Sequence, residues 1–295
     1  MTERFSPGQA GEIWYEHWHR YHFIQNLIRG KRILDVASGE GYGTAFLANY
    51  AASAIGLDLS VEATSTATQR YGVKSGAHFV AGDCRELPIA SASMDVVVSF
   101  ETLEHIEHQV KFIAEIDRVL AVDGLLVLST PNRPVYNADG VIKNSFHFEE
   151  LDEGELRELL RQRFPSQRWF AQNVDFHSVI APYAQGALDA QIVSTTQHGA
   201  AVADDEISTA KYFICICARC ESSLGNVRQT LSLFADKCRF YSNDYRRLMA
   251  ELEQAAGTQK ALSARLHAAQ QAVERLLMER NQALFAVAEF RLTND

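Results

Sequence analysis

The stretch Arg32–Thr44, RILDVASGEGYGT, joins a short apolar run to a glycine-rich turn and then to residues that suit a helix. Glycine at 39, 41 and 43 lets the backbone turn sharply, adopt positive φ and approach a ligand with no Cβ in the way. In open α/β sheets the crevice at the carboxyl end of such a strand is where ligands sit. The pattern is D-x-x-x-G-x-G-x-G from Asp35, and Thr44 stands where a dinucleotide fingerprint needs its third glycine. Hydride-transfer chemistry is therefore disfavoured.

Outward from this turn, apolar runs at 54–57, 77–81, 96–100 and 125–129 alternate with helix-compatible stretches at 42–51, 61–71 and 107–121. That alternation predicts βαβ units and a parallel sheet. After Thr130 come a turn-rich PNRPVYNADG, an amphipathic ELDEGELRELLRQRF that opens acidic, and two more strand candidates near 168–180 and 211–219. The reading is a doubly wound α/β domain of seven strands over 31–222, preceded by a helical cap at 1–30, with 183–210 as a loop or insertion. Cys215 and Cys217 share one face of the last strand and are expected in the core.

Beyond Gly225 the composition turns to Ala, Gln, Leu, Glu and Arg without proline. Tyr241, Tyr245, Leu248, Leu252, Ala255, Leu262, Leu266, Ala269, Val273 and Leu276 follow alternating 3 and 4 spacing, broken mainly at Gln259. This period predicts a coiled coil over 226–292 and self-association through it. Sixty helical residues reach about 90 Å, so the tail is a stalk or docking arm rather than a core helix.

The 295 residues are 47% hydrophobic and carry a net charge of −9 with no run of Lys or Arg, which disfavours nucleic acid as a partner. Five cysteines, with no paired CxxC spacing, indicate neither a disulfide framework nor a four-ligand zinc site. No stretch reaches the roughly 20 apolar residues of a membrane span, and the start is charged where a signal peptide needs an apolar run. A cytoplasmic protein without transmembrane segments is expected.

Two further carboxylates end successive strands. Asp58 in AIGLDLS lies where an acidic side chain accepts both ribose hydroxyls, and Asp83 closes HFVAGDCREL. With these residues the string around Asp35 resembles motif I of class I S-adenosylmethionine-dependent methyltransferases. The resemblance implies that Asp35, Ser38, Gly39, Gly41 and Tyr42 surround the methionine part of the cofactor. It implies Asp58 and Leu59 at the ribose, Asp83 and Cys84 with Leu87 at the adenine, and Phe100 closing the site. EIWYEHWHRYHF precedes the first strand closely enough to fold over the cofactor, with Arg20 meeting its carboxylate and Tyr15 hydrogen-bonding it. The competing reading of that segment is an aromatic packing helix.

The fourth strand runs into DVVVSFETLEHIEH. A helix starting near Thr102 would project Glu101, Glu104 and His105 on one side, while His108 would face solvent. A hydroxyl acceptor is a poor nucleophile and needs a general base, or a cation that lowers its pKa. The string E-x-x-E-H is similar to that of small-RNA 2′-O-methyltransferases and ubiquinone-pathway O-methyltransferases. The first group implies a divalent Mg²⁺ or Mn²⁺ held by Glu101, Glu104, His105 and a downstream histidine, here His147 in NSFHFEEL. Without an ion, Glu101, His105 and His147 would act as base and substrate contacts.

Through EHWHRYHF, DVASGEGYGT, SFETLEHIEH, STPNR and NSFHFEEL, the first 220 residues look most like methyltransferases of bacterial polysaccharide and O-antigen synthesis. That implies O-methylation of a sugar hydroxyl on a nucleotide sugar, lipid-linked glycan or polysaccharide. Alternatives are a small-RNA 2′-O-methyltransferase and a non-catalytic coiled-coil assembly protein.

Overall fold

The computed structural model describes residues 12–72, 75–136, 146–174, 193–195, 201–203, 210–228, 230–234 and 240–293. The chain divides into two compact units, Met1–Ala235 and Asp236–Asp295.

The first unit opens with helix α1 (Glu12–Ile24) and strand β1 (Arg32–Val36). Helix α2 (Tyr42–Ala48), β2 (Ser53–Asp58), α3 (Val61–Ala67), β3 (Ala77–Ala81), β4 (Met94–Phe100), α4 (Gln109–Val119) and β5 (Leu120–Pro131) follow. Next come α5 (Glu153–Arg161), β6 (Ser166–Gln172), the short strands β7 (Val193–Thr195) and β8 (Ala201–Ala203), and β9 (Tyr212–Ala218). The seven-stranded sheet has the order β3-β2-β1-β4-β5-β9-β6. β9 enters antiparallel between β5 and β6, whereas β1 to β5 are mutually parallel. β7 and β8 form their own antiparallel pair, and the rest of 183–209 lies outside the described residues.

Period-2 alternation explains the two cores. Leu34 and Val36 of β1 face the layer of Phe112, Ile113 and Ile116 from α4 and Leu156 and Leu160 from α5. Ile33, with Val96 and Val98 of β4, faces the layer made by Tyr21, Ile24, Ile28 and Leu47. Both faces of β4 are covered, so it reads as a near-continuous apolar run, as central parallel strands do. Cys215 and Cys217 are fully buried in the first layer. Local signals fix the helix starts: Ser60 Oγ accepts from Ala63 N at 3.2 Å, and Asp152 and Glu155 form a reciprocal capping box.

β6 begins at Ser166 and ends at Gln172, short of the expected 180; residues 175–180 lie outside the described part. The tail also starts later than expected. Residues 226–228 and 230–234 are not helical, because Val227 packs on the core and the Phe234 ring sits 5.8 Å from Trp14, 5.4 Å from His19 and 5.3 Å from His22. Helix α6 (Phe240–Thr293) forms the second unit, with Leu252, Leu262 and Leu266 each more than 60% exposed. Among the described residues no helix is long and apolar enough to cross a membrane.

Candidate active site

Parallel register brings the tips of β1, β2 and β3 level: Val36 pairs with Leu57, and Asp58 with Ala81. A cavity of about 650 Å³ opens there, within the ordinary range for a small-ligand site. Ser38, Gly39, Tyr42, Asp58, Leu59, Asp83, Cys84 and Phe100 line one end of it, and Glu101, Glu104, His105 and His147 line the other.

At the first end the glycine loop carries two left-handed glycines, Gly39 at φ 55° and Gly41 at φ 81°. A Cβ on Gly41 would stand 2.5 Å from the Phe79 ring and 2.6 Å from Ala67 Cβ, so the loop can close against α3 only without one. Ala37 shares the left-handed conformation at φ 58° although it carries a Cβ. Asp58, 5% exposed, accepts from Gly39 N at 2.9 Å and Ser60 N at 2.8 Å. It thereby holds the loop while presenting a carboxylate edge to the cavity. Ser38 Oγ is buried with no hydrogen-bond partner among the described residues, an orphaned group of the kind a polar ligand satisfies. Asp83 also lines the cavity, clasped bidentately by Arg85 at 2.8 to 3.2 Å, which holds its carboxyl below the usual range. Burial pushes the neighbouring Cys84 thiol up to about 11, so it contacts a ligand as a neutral group.

Five expected cofactor contacts lie off the cavity wall. Asp35, 1% exposed, accepts from Thr44 Oγ1 at 2.7 Å and Tyr21 OH at 3.4 Å beneath the glycine loop. Burial pushes its carboxyl up to about 7 against those two bonds. It therefore braces the loop from below, and Gly41 serves by its backbone turn. Tyr15 packs edge-on against Trp14 and Phe234, because its position on α1 faces the aromatic nest. Arg20 is fully buried behind the wall. It donates to Gln172 Oε1 at 2.7 Å, lies 3.4 Å from Glu101 and stacks 4.6 Å over the Tyr212 ring. Its charge faces Glu101 in place of the expected ligand carboxylate. Leu87 is likewise core, its backbone N donating to Glu115.

The acceptor end departs from the expected α-helix. Leu103–His105 form a single 3-10 turn, and Glu101 before it sits in the left-handed region at φ 48°, strain of order 1 kcal/mol for a residue with a Cβ. Ser129 Oγ donates to Glu101 at 2.7 Å, and Thr130 Oγ1 donates to Glu104 at 3.0 Å. Burial raises both carboxyls; Arg20 opposes this at Glu101, while Glu101 itself raises Glu104 further. The 146–149 segment is tied down by Phe148 N and Glu149 N, which donate to Glu104 O at 2.7 and 3.1 Å. His105 Nδ1 meets Phe146 O at 2.9 Å, and His147 Nδ1 meets Glu150 Oε1 at 2.5 Å. Donation from Nδ1 in each ring turns Nε2 toward the role of ligand. Ligand atoms of Glu104, His105 and His147 lie within 4.8 Å of one another, a donor set that fits a divalent cation. Glu101 stands outside this group. His108 is exposed.

The same cavity is walled by residues the motifs did not name: Glu16, His17, Tyr136, Phe146 and Tyr212. His17 Nδ1 lies 2.8 Å from Tyr42 OH, and burial and Arg20 push its pKa down to about 3, so it works as a neutral ring. Glu16, 4% exposed, accepts from Lys211 Nζ at 3.0 Å and Tyr212 OH at 3.2 Å. The one signal available was Glu16 and Arg20 a turn apart on an apolar helix, an arrangement that demands buried partners.

With this geometry, residues 34–128 match the family model described as "Methyltransferase domain". This stretch is thus similar to the domains of S-adenosylmethionine-dependent methyltransferases. Among its relatives is a Mycolicibacterium smegmatis protein named "Probable S-adenosylmethionine-dependent methyltransferase", 37% identical over 161 residues, covering 54% of this chain and 62% of the relative. A fatty-acid O-methyltransferase of the same organism is 33% identical over 112 residues, 37% of this chain and 40% of the relative. The chain thus spans less than two thirds of the length of these curated relatives. A solved S-adenosylmethionine-dependent methyltransferase from Thermotoga maritima superposes with a TM-score of 0.50 at 14% identity, over 70% of this chain and 89% of that one, a likeness of fold. Ser38, the glycine loop and Asp58 offer polar groups that fit those of S-adenosylmethionine.

Proposed function

We propose that the chain methylates a hydroxyl group of a sugar, carried on a nucleotide sugar, lipid-linked glycan or polysaccharide end. When bound, S-adenosylmethionine supplies an electrophilic methyl group on a positively charged sulfur. Asp58 would hold the ribose hydroxyls, while Ser38 and the backbone of Gly39 would meet the methionyl end. His17 and Tyr42 close that compartment from above.

The observation that carries the reading is the polar acceptor end. A buried carboxyl, a half-buried one and two imidazoles converge where the cavity continues past Phe100. Glu104, with His105 and His147 beside it, is the group to take the proton of a weakly acidic hydroxyl, while Glu101, fixed by Ser129 and Arg20, orients it. Tyr136 and Phe146 also line the cavity, aromatic surface suited to the C–H face of a sugar. Glu104, His105 and His147 would hold Mg²⁺ or Mn²⁺, lowering the hydroxyl pKa.

The second reading is a lipid hydroxyl or carboxyl, favoured by the fatty-acid O-methyltransferase relative and by the exposed Phe148 on the cavity lining. Purified protein with S-adenosylmethionine and separate panels of sugar nucleotides, glycan extracts and fatty acids, read by mass spectrometry, distinguishes the two. A methyl ether on a sugar is expected, and transfer to fatty acids alone replaces the sugar by the lipid. Chelation is expected to cut turnover while calorimetry with S-adenosylmethionine stays unchanged; full turnover after chelation removes the metal.

A further inference from the structure

Helix α6 carries an apolar stripe that its own unit leaves in solvent: Tyr245, Leu248, Leu252, Leu262 and Leu266 are 51 to 65% exposed. In heptad terms Tyr245, Leu252, Gln259, Leu266, Val273 and Arg280 take the a positions, and Leu248, Ala255, Leu262, Ala269 and Leu276 the d positions. An exposed a/d stripe of this length is covered by another helix.

We propose that the segment Tyr245–Ala269 pairs with the same segment of a second copy of this chain, antiparallel, about a twofold axis level with Gly257. Three features select this orientation. In an antiparallel seam a residues face d residues, so in this register Tyr245 meets Ala269 of the second copy, and Gln259 meets Ala255. Leu248 meets Leu266, and Leu252 meets Leu262. Large side chains then stand against small ones at both ends and the leucines pair between. Glu251, at g, comes beside Arg265, at g of the second copy, twice by symmetry. Arg247 lies 3.9 Å from Glu251 within the helix, an exposed contact too weak to compete. Finally, Arg280 lies beyond the partner's first helical residue, Phe240, and stays out of the seam. A parallel seam in register would bury Arg280 against Arg280, stack Gln259 on Gln259, and leave Glu251 facing Ala256.

Sedimentation of the full chain over a dilution series tests this. A dimer of the 33.0 kDa chain is expected. E251R is expected to weaken dimerisation about tenfold, since two attractive pairs become repulsive. The double variant E251R/R265E should restore it, and R280L should leave it unchanged. A monomer throughout, a trimer, indifference to E251R, or a dimer tightened by R280L would each overturn the proposal.

Discussion

At the cofactor end of the cavity, Ser38, Gly39, Tyr42, Asp58 and Asp83 arrive from the ends of three consecutive strands, and backbone shape does most of the work. At the acceptor end, Glu16, Glu101, Glu104, His147 and Tyr212 arrive from four separate segments, and buried charge does most of it. Glu16 and Tyr212 hydrogen-bond across 196 positions of sequence. A site assembled from local turns tolerates change around it, provided its glycines remain. One assembled from distant charges depends on every partner staying matched, because burial disfavours the ionised forms of Glu101 and Glu104.

Substitutions can break this contrast. The largest effect is expected from Glu104→Gln, which keeps shape but cannot accept a proton. Turnover should fall about a hundredfold or more with cofactor affinity kept, and an unchanged rate in a methyl-transfer assay would remove Glu104 from the chemistry. Next is Gly41→Ala, where a left-handed backbone and a Cβ inside the Phe79 ring contact act together. A loss of about 3 kcal/mol in unfolding free energy is expected by denaturant titration. Asp58→Ala should weaken S-adenosylmethionine binding by about 1.5 to 3 kcal/mol while leaving any metal contribution intact. Calorimetry that returns the wild-type constant excludes Asp58 from the ribose contact.

Asp35 sharpens the comparison from beneath the loop. Its folded pKa, about 7, lies above the 3.8 of the unfolded chain, so between those values the native state holds a proton that the unfolded state has released. Its contribution is complete below pH 4, declines as pH rises toward 7, and is constant above. Relative to Asp35→Asn, the wild type should lose up to about 1.4 kcal/mol per pH unit across that window. Parallel pH profiles would refute this. The smallest effect belongs to Ala37→Gly, which should gain about 0.5 kcal/mol by relieving the left-handed alanine at φ 58°.

The contrast also governs what could be read from the chain in advance. The strands of the sheet and the glycine turn were legible because apolar periodicity and glycine placement act within a few residues. Cys84 and Asp58 followed from their places at strand tips. The cluster of Glu104, His105 and His147 was reached by spacing, yet its geometry was not: the turn after β4 is 3-10 rather than α, and Glu101 swings toward Ser129 and Arg20. Burial decided what spacing could not. Asp35, which reads like Asp58, sits one layer deeper, and Arg20 finds in Glu101 and Gln172 partners that no local pattern announces. Glu16 and Tyr212 were missed for the same reason, since only the insertion of β9 beside β5 brings them together.

Helix α1 gives one side chain to each compartment at nearly every turn: His17 reaches Tyr42, Tyr21 braces Asp35, Glu16 holds Tyr212 and Arg20 faces Glu101. The two substrates therefore share a single partition. Kinetic variants on this helix should shift both Michaelis constants together, so that donor and acceptor specificity are inherited as one trait.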